Sequence, residues 1–435
     1  MKERVLIGEL SAHTGETVQI AGWVDVRRDQ GKLVFFDFRD RTGLVQGVVL
    51  PGSEATETAK ETRTEFVVTV TGIVNKRPEK NVQEGKQNGD IELEILTITI
   101  LSKAAELPFD KDTDLNIDTR FDYRPYTLRS QRDRDIFKVQ ATILDAYRNS
   151  LKRQGLTEFI APALVGGDAE GGAAVFKVNY YYDQTAYLAT SPQLYKQIMV
   201  GVFERVFTIA KIFRAEKSAT TRHLSELTQM DFEMGFIKDE FDVMAVLETV
   251  LRDVVQEVAE KHGDEFRRLG AEVPLLGTKF PILTLAEAHQ TLGVPSEDDM
   301  TPEHERDICE WAKREHDCDF VFITKFPTKA RAFYTMTDEG EISRGFDLLF
   351  RGLEINSGAQ RIHSYDEMVA RIIERGMDPE KFAFYLQAFK YGIPPHGGCS
   401  TGLERLTARM LGLSNVKEAS TFPRDMNRID SLLSA

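Results

Sequence analysis

From residue 17 the chain alternates: Val18, Ile20, Gly22, Val24 and Val26 share one side of the run 17–28, the period of a half-buried β-strand. Four more runs, 32–40, 44–50, 65–74 and 91–102, are rich in β-branched and aromatic residues and end in turn formers. Only 52–65 breaks the pattern, with helix formers. Five strands and one short helix within 1–103 predict a small Greek-key barrel of the OB type; an SH3-like barrel or a half sandwich fits the same pattern. Residues 104–134 are polar and weakly periodic and are expected to form a hinge.

The period changes at 135. Ile136, Val139, Ile143, Tyr147 and Leu151 line one face of a helix that Gly155 stops. A strand is expected over 156–164, an antiparallel pair over 205–216 and 228–237, and a helix over 240–263. A partly helical insertion at about 265–330 carries its own strand, 319–326. Strands over 344–358, a helix near 365–375 and a glycine-rich loop entering a helix at 402–412 complete the chain. Strands and helices mixed without βαβ regularity predict an α+β domain over 135–435 on a largely antiparallel sheet.

Composition narrows the setting. A chain of 435 residues, 42% hydrophobic and 29% charged, has the makings of a buried core and is neither fibrous nor disordered. No apolar run reaches about 18 residues, so no membrane-spanning helix is expected. The N-terminal segment has no apolar stretch or small-residue cleavage site, and three cysteines (Cys309, Cys318, Cys399) cannot build a disulfide framework. A reducing cytoplasm is the expected location. The net charge of −14 opposes a nucleic-acid partner unless a local basic patch carries it.

No GxxxxGK[ST] loop and no GxGxxG after a strand occurs, so a bound nucleotide must be held another way. In 211–236, Arg214 and Glu216 leave an apolar strand on one side, Arg222 and His223 follow a Ser/Thr loop, and Asp231 and Glu233 alternate along the returning strand. A buried arginine needs an anion. Here that is a phosphate-bearing ligand or, structurally, one of those two acids. Asp347 and Glu354 fit a Mg²⁺ pair beside phosphates, an acid/base pair, or solvated carboxylates. Ser357, Gly358, Gln360 and Arg361 suit a binding floor. Residues 398–402 fit GxSxG, but no apolar strand precedes them and the last histidine is His396, which argues against a hydrolase elbow. His304, Cys309, His316 and Cys318 lack zinc-ligand spacing.

The block FRAE…TRHLSELTQMDFEM (213–234) resembles motif 2 of class II aminoacyl-tRNA synthetases, and GxxxGLERL (398–406) resembles motif 3. EFIAPALV (158–165) resembles motif 1, which implies a homodimer interface at Pro162. The pattern is most similar to the aspartyl branch in its short, archaeal-type form, on TSPQLYKQ (190–197) and NSGAQRIH (356–363). The resemblance implies an OB-fold anticodon-binding domain followed by a catalytic domain on an antiparallel sheet flanked by helices. It implies ATP-dependent charging of tRNA(Asp) with L-aspartate through an aspartyl-adenylate. Whether tRNA(Asn) is a second acceptor stays open, with loops near Asp25 and Pro78 expected to bear on it.

By the same resemblance Arg214, Glu354 and Arg405 are catalytic. Glu170, Gln193, Lys196, Arg214, Ser357 and Arg361 bind aspartate. Arg214, Glu216, Arg222, His223, Leu224, Glu354, Gly402, Leu403, Glu404 and Arg405 bind ATP. Asp347, Glu354 and Ser357 hold Mg²⁺, and Arg28, Phe35 and Gln46 read the anticodon. The local basic patch would be Arg27, Arg28, Lys32, Arg39 and Arg41. The sequence departs from the family at Leu227, which replaces an adenine-stacking aromatic, at Cys399-Ser400-Thr401, which lacks the middle glycine of motif 3, in 118–130, which keeps Arg120 and Phe121 but is otherwise loose, and in 165–176, with Ala169 and extra glycines. An asparaginyl-tRNA synthetase is disfavoured by Lys196 with Arg361 and His363. A tRNA-independent amino-acid ligase is disfavoured by Phe35 and Gln46.

Overall fold

The computed structural model describes residues 3–110, 113–167, 174–217, 220–338 and 341–429. The chain divides into two units, Met1–Asp114 and Leu115–Ala435.

In the first unit the alternating runs become strands Thr17–Gln30, Leu33–Arg39, Leu44–Val49, Val67–Lys76 and Ile91–Ser102. They close a barrel in the order first, second, third, fifth, fourth, which is the OB architecture. The inward set, including Val18, Ile20, Val24, Phe36, Phe38, Val68 and Val70, is buried. The short helix Thr56–Glu61 contributes Ala59 to the same core.

The second unit is built on an eight-stranded sheet. Its order is Ile282–Thr284, Phe320–Thr324, Gly345–Phe350, Glu354–Arg361, His396–Gly402, Glu226–Gly235, Arg205–Phe213, Thr157–Glu158. The pairs at the two ends are parallel and those between are antiparallel, so the sheet is mixed. Helix Gln131–Arg153 is capped by the Ser130 side chain and buries Ile136, Val139, Ile143, Tyr147 and Leu151 completely. Gly155 follows it at φ +79, a conformation that costs glycine nothing. Helix Glu240–Lys261 packs against it. The insertion adds helices Leu285–Leu292 and Pro302–His316 and extends the sheet with two strands.

Two expectations need correction. Residues 115–134 belong to the second unit and carry helices Ile117–Asp122 and Arg124–Thr127. Arg120 and Arg124 both reach the buried Asp133, at 2.8 and 2.9 Å, and Arg120 also reaches Glu418 at 3.1 Å. Polarity read as a hinge is therefore a set of sequestered ion pairs. The run 156–164 forms only the two-residue pieces Thr157–Glu158 and Leu164–Val165, with Ile160 and Pro162 exposed between them. Among the described residues, no helix is long and apolar enough to cross a membrane.

Candidate active site

A cleft of about 320 Å³ opens over the strands Glu226–Gly235, Glu354–Arg361 and His396–Gly402. Antiparallel pairing sets Asn356, Ser357 and Gly358 opposite Thr401, Ser400 and Cys399, and Met230, Asp231 and Phe232 opposite the same three. Residues far apart in sequence thus share one surface.

One end of the cleft is a buried charge network. Lys196, on helix Gln193–Phe203, is 1% exposed. Its ammonium lies 2.8 Å from Asp231 and 3.3 Å from Glu233, and donates to the Cys399 carbonyl at 3.0 Å. Arg361 donates from Nε to Glu233 at 3.0 Å and from Nη2 to the Gly398 carbonyl at 2.8 Å and to Gln193 Oε1 at 3.3 Å. Its Nη1 has no hydrogen-bond partner among the described residues. Ser400 Oγ donates to Asp231 at 2.7 Å. Two cations and two carboxylates cancel, which makes their burial tolerable. Burial alone would raise Glu233, but Arg361 and then Lys196 outweigh it and hold the carboxyl below its ordinary value. A Cβ on Gly398 would fall 2.2 Å from a Glu233 carboxylate oxygen and 2.1 Å from the Phe232 carbonyl, so only glycine fits there.

Behind this floor runs an uncharged chain. Gln193 Nε2 donates to Gln197 Oε1 at 2.9 Å, and Tyr385 donates to the same oxygen at 3.0 Å. Gln197 Nε2 lies 2.9 Å from His396 Nε2, and His396 Nδ1 lies 2.9 Å from the Pro394 carbonyl. A carbonyl only accepts, so His396 carries its proton on Nδ1 and accepts from Gln197. Burial pushes that imidazole down to about 4, against the pull of Glu233.

The other end is cationic and half-exposed. Arg214 lines it with no ion-pair partner among the described residues. Arg222 pairs with Glu305 of the insertion at 2.8 Å and donates to the Gly352 carbonyl at 3.3 Å. Arg405 donates to the Glu354 carbonyl at 2.9 Å and lies 3.8 Å from its carboxylate. His223 sits 2.5 Å from Thr220 Oγ1, its pKa lowered by burial and then by Arg405. Burial, then the charge of Asp347, pushes Glu354 up to about 7. Asp347 stands opposite Ser357 in the sheet and is gripped by both terminal nitrogens of Arg331, at 2.9 and 2.7 Å.

Those three donors fit a hard divalent cation. Glu354 is a carboxylate crowded by Asp347, Asp347 and Ser357 could offer further oxygens, and the remaining positions suit phosphate oxygens. Among the described residues no group of three or more His, Cys, Asp or Glu could hold a metal by itself.

Other expected residues fall as follows. Gln193, Glu216, Leu224, Ser357, Gly402 and Glu404 line the cleft; Asp347 does not. Glu404 accepts the Thr228 backbone N–H at 3.0 Å, and Leu403 packs into the core, because the helix Leu403–Met410 starts there and turns both inward. Leu227 lines the cleft. Glu170 lies outside the described residues. All three thiols are buried, and burial raises Cys309 and Cys399 to about 12 and Cys318 to about 11.

In the barrel, Arg28 makes a two-pronged pair with Asp37 at 2.9 and 2.8 Å and reaches Gln46 at 3.4 Å. Phe35 stands opposite Arg28 in register and is half-exposed. Arg39 does not join a basic patch: it is 4% exposed, bound by Glu65 at 2.7 Å and Asp25 at 3.2 Å. Asp25 is therefore sequestered as well.

The sequence alone did not reveal Glu305, which comes from the insertion, or Arg331, which lies just past it, and neither sits in a local motif. Asp231 and Glu233 were visible as an alternating pair, but their partners are Lys196 and Arg361, not Arg214.

Residues 116–426 match the family of class II tRNA synthetases (D, K and N), and residues 18–101 match the OB-fold nucleic acid binding domain. The aspartate–tRNA(Asp/Asn) ligase of Thermus thermophilus is 44% identical, covering 98% of this chain and 99% of its own. The aspartate–tRNA(Asp) ligase of Picrophilus torridus is 39% identical over 95% of this chain and 97% of its own. The asparaginyl-tRNA synthetase of Pyrococcus horikoshii, solved with asparaginyl-adenylate, superposes with a TM-score of 0.90 at 33% identity, covering 99% of this chain and all of its own. With the barrel, the antiparallel cleft and these likenesses in place, the chain belongs to the class II aminoacyl-tRNA synthetases of the aspartate, lysine and asparagine group.

Proposed function

We propose that this chain joins L-aspartate to tRNA(Asp), with tRNA(Asn) as a second acceptor, through an aspartyl-adenylate made from ATP. The observation that carries the substrate choice is Arg361 Nη1, a guanidinium donor without a hydrogen-bond partner among the described residues, beside a buried Lys196. Both groups only donate. A side-chain carboxylate satisfies them, whereas an amide would set its NH₂ against a cation. This favours aspartate over asparagine. Relatives carrying the Asp/Asn name at 44%, 42%, 41% and 40% identity support the second acceptor.

In the first step the α-carboxylate of aspartate attacks the α-phosphorus of ATP. A phosphorus–oxygen bond forms, the bond to the bridging oxygen breaks, and pyrophosphate leaves. Arg214, with no ion-pair partner among the described residues, neutralises the charge that develops on the α-phosphate. Arg222 and Arg405 hold the outer phosphates. Asp347, Glu354 and Ser357 would hold Mg²⁺, which supplies charge neutralisation on the phosphates. In the second step a hydroxyl of the terminal adenosine of the tRNA attacks the mixed anhydride carbonyl, and AMP leaves. No protein nucleophile is needed, and positioning supplies much of the rate.

The barrel, 1–103, reads the anticodon through Phe35 stacking and the polar edges of Arg28 and Gln46, and 115–435 is the catalytic domain. The exposed Ile160 and Pro162 support a homodimer through that segment. A cytoplasmic location follows from the role. The test is aminoacylation with labelled aspartate on separate tRNA(Asp) and tRNA(Asn) transcripts. Charging of both is expected. Charging of tRNA(Asp) alone removes the second acceptor, and charging of neither by folded protein overturns the reading.

A further inference from the structure

The metal seat already holds a cation. Arg331 spans both oxygens of Asp347, and its Nη1 lies 3.3 Å from Ser357 Oγ. Two of the three expected ligands are thus engaged by one guanidinium. Its position is built rather than incidental. The guanidinium carbon sits 3.6 Å from the Phe326 ring centroid. Arg375 Nη2 donates to the carbonyls of Thr328 and Arg331, at 2.6 and 3.0 Å, and fixes the backbone that carries it. The Nε of Arg331 is buried without a hydrogen-bond partner among the described residues, so the terminal nitrogens make the contacts.

The carboxylates around the seat are already matched. Asp347 faces Arg331, Glu354 faces Arg405, and Glu305 faces Arg222. Three carboxylates meet three guanidiniums before any ligand arrives. A free divalent ion entering this end would add uncompensated positive charge and would have to displace a bidentate pair. A divalent ion arriving on ATP brings its own excess of negative charge, and the three arginines then become assets.

We propose that Arg331 is a resident cation that keeps the Asp347–Ser357 seat closed to free divalent ions and so couples metal entry to ATP. This rests on the reading of Asp347, Glu354 and Ser357 as metal ligands. Arg331 acts here as a positioning residue.

The test is Mn²⁺ binding to the full chain, read from the electron paramagnetic resonance signal of free Mn²⁺, with and without a non-hydrolysable ATP analogue. Arg331→Met is expected to tighten Mn²⁺ binding without nucleotide by ~10-fold, the scale of one lost charge pair, and to gain less with the analogue present. Arg331→Lys, which keeps the charge but loses the two-pronged grip, should fall between. If Arg331→Met does not fold, as judged by circular dichroism, Arg331→Lys decides alone: tighter Mn²⁺ binding than the parent supports the proposal. Mn²⁺ affinity unchanged or weakened without nucleotide overturns it. Glu354→Gln separates the two readings. It should abolish Mn²⁺ binding in the presence of the analogue, and if it does not, the ligand assignment itself falls and the proposal with it.

Discussion

Lys196 and Arg361 are almost wholly buried, and each is matched by carboxylates that the protein supplies. Arg214, Arg222 and Arg405, which line the same cleft, are half-exposed, and Arg214 has no ion-pair partner among the described residues. On the proposed reading the first group recognises one small carboxylate and refuses its amide, which suits a set of buried, charge-matched side chains. On the same reading the second receives a highly charged phosphate chain and lets pyrophosphate go, which suits cationic capacity held in reserve. Stability and chemistry are therefore expected to separate along the cleft.

The sharpest way to break that contrast is at the buried end. Lys196→Met takes the cation from Asp231 and leaves Glu233 to Arg361 alone, and breaking such a pair costs about 3–5 kcal/mol. Urea unfolding should register that loss, together with loss of aspartate-dependent ATP–pyrophosphate exchange. Unchanged stability would mean that the network does not compensate as its geometry implies.

His396 tests the same end through pH. The unfolded chain takes up its proton near 6.5, whereas the folded ring does so near 4. Between those values the unfolded state binds more protons. Stability is complete above 6.5 and falls as pH drops towards 4, by about 3 kcal/mol. His396→Asn should flatten that part of the stability profile, and a profile as steep as the parent's would assign the slope to another group.

At the open end the effect moves to rate. Arg214→Gln should slow adenylate formation by ~100-fold while leaving the unfolding free energy within about 0.5 kcal/mol of the parent. A large stability loss would show that Arg214 has a structural partner after all. The smallest effect is expected from Glu305→Gln, which frees Arg222 from the insertion. KM for ATP should rise by ~10-fold, the equivalent of about 1.4 kcal/mol, with KM for aspartate unmoved. A matching rise in both constants would make Glu305 a general structural residue.

The barrel strands and the face of the long helix were legible because hydrophobic period maps directly onto burial, as Val18, Ile20 and Val24 or Ile136, Val139 and Ile143 illustrate. The cleft residues were legible as motif members. What pairs with what was not. Lys196 and Asp231 are 35 positions apart, Arg361 and Glu233 are 128, and Arg222 and Glu305 are 83. Only the register of the sheet and the packing of the insertion bring them together, and neither is written in a local period. Arg39 made the same point in reverse: a basic residue in a basic-looking run proved to be committed to Glu65 and Asp25.

The buried thiols have a practical consequence. A cysteine that keeps its proton until about pH 11 or 12 offers almost no thiolate at neutral pH, and thiolate is the form that reacts with alkylating reagents. The native chain is thus nearly silent towards maleimides. A single cysteine placed on an exposed loop would take a fluorophore by itself, with no need to strip the natural ones. The slow labelling of Cys309, Cys318 and Cys399 then becomes a clock for global opening.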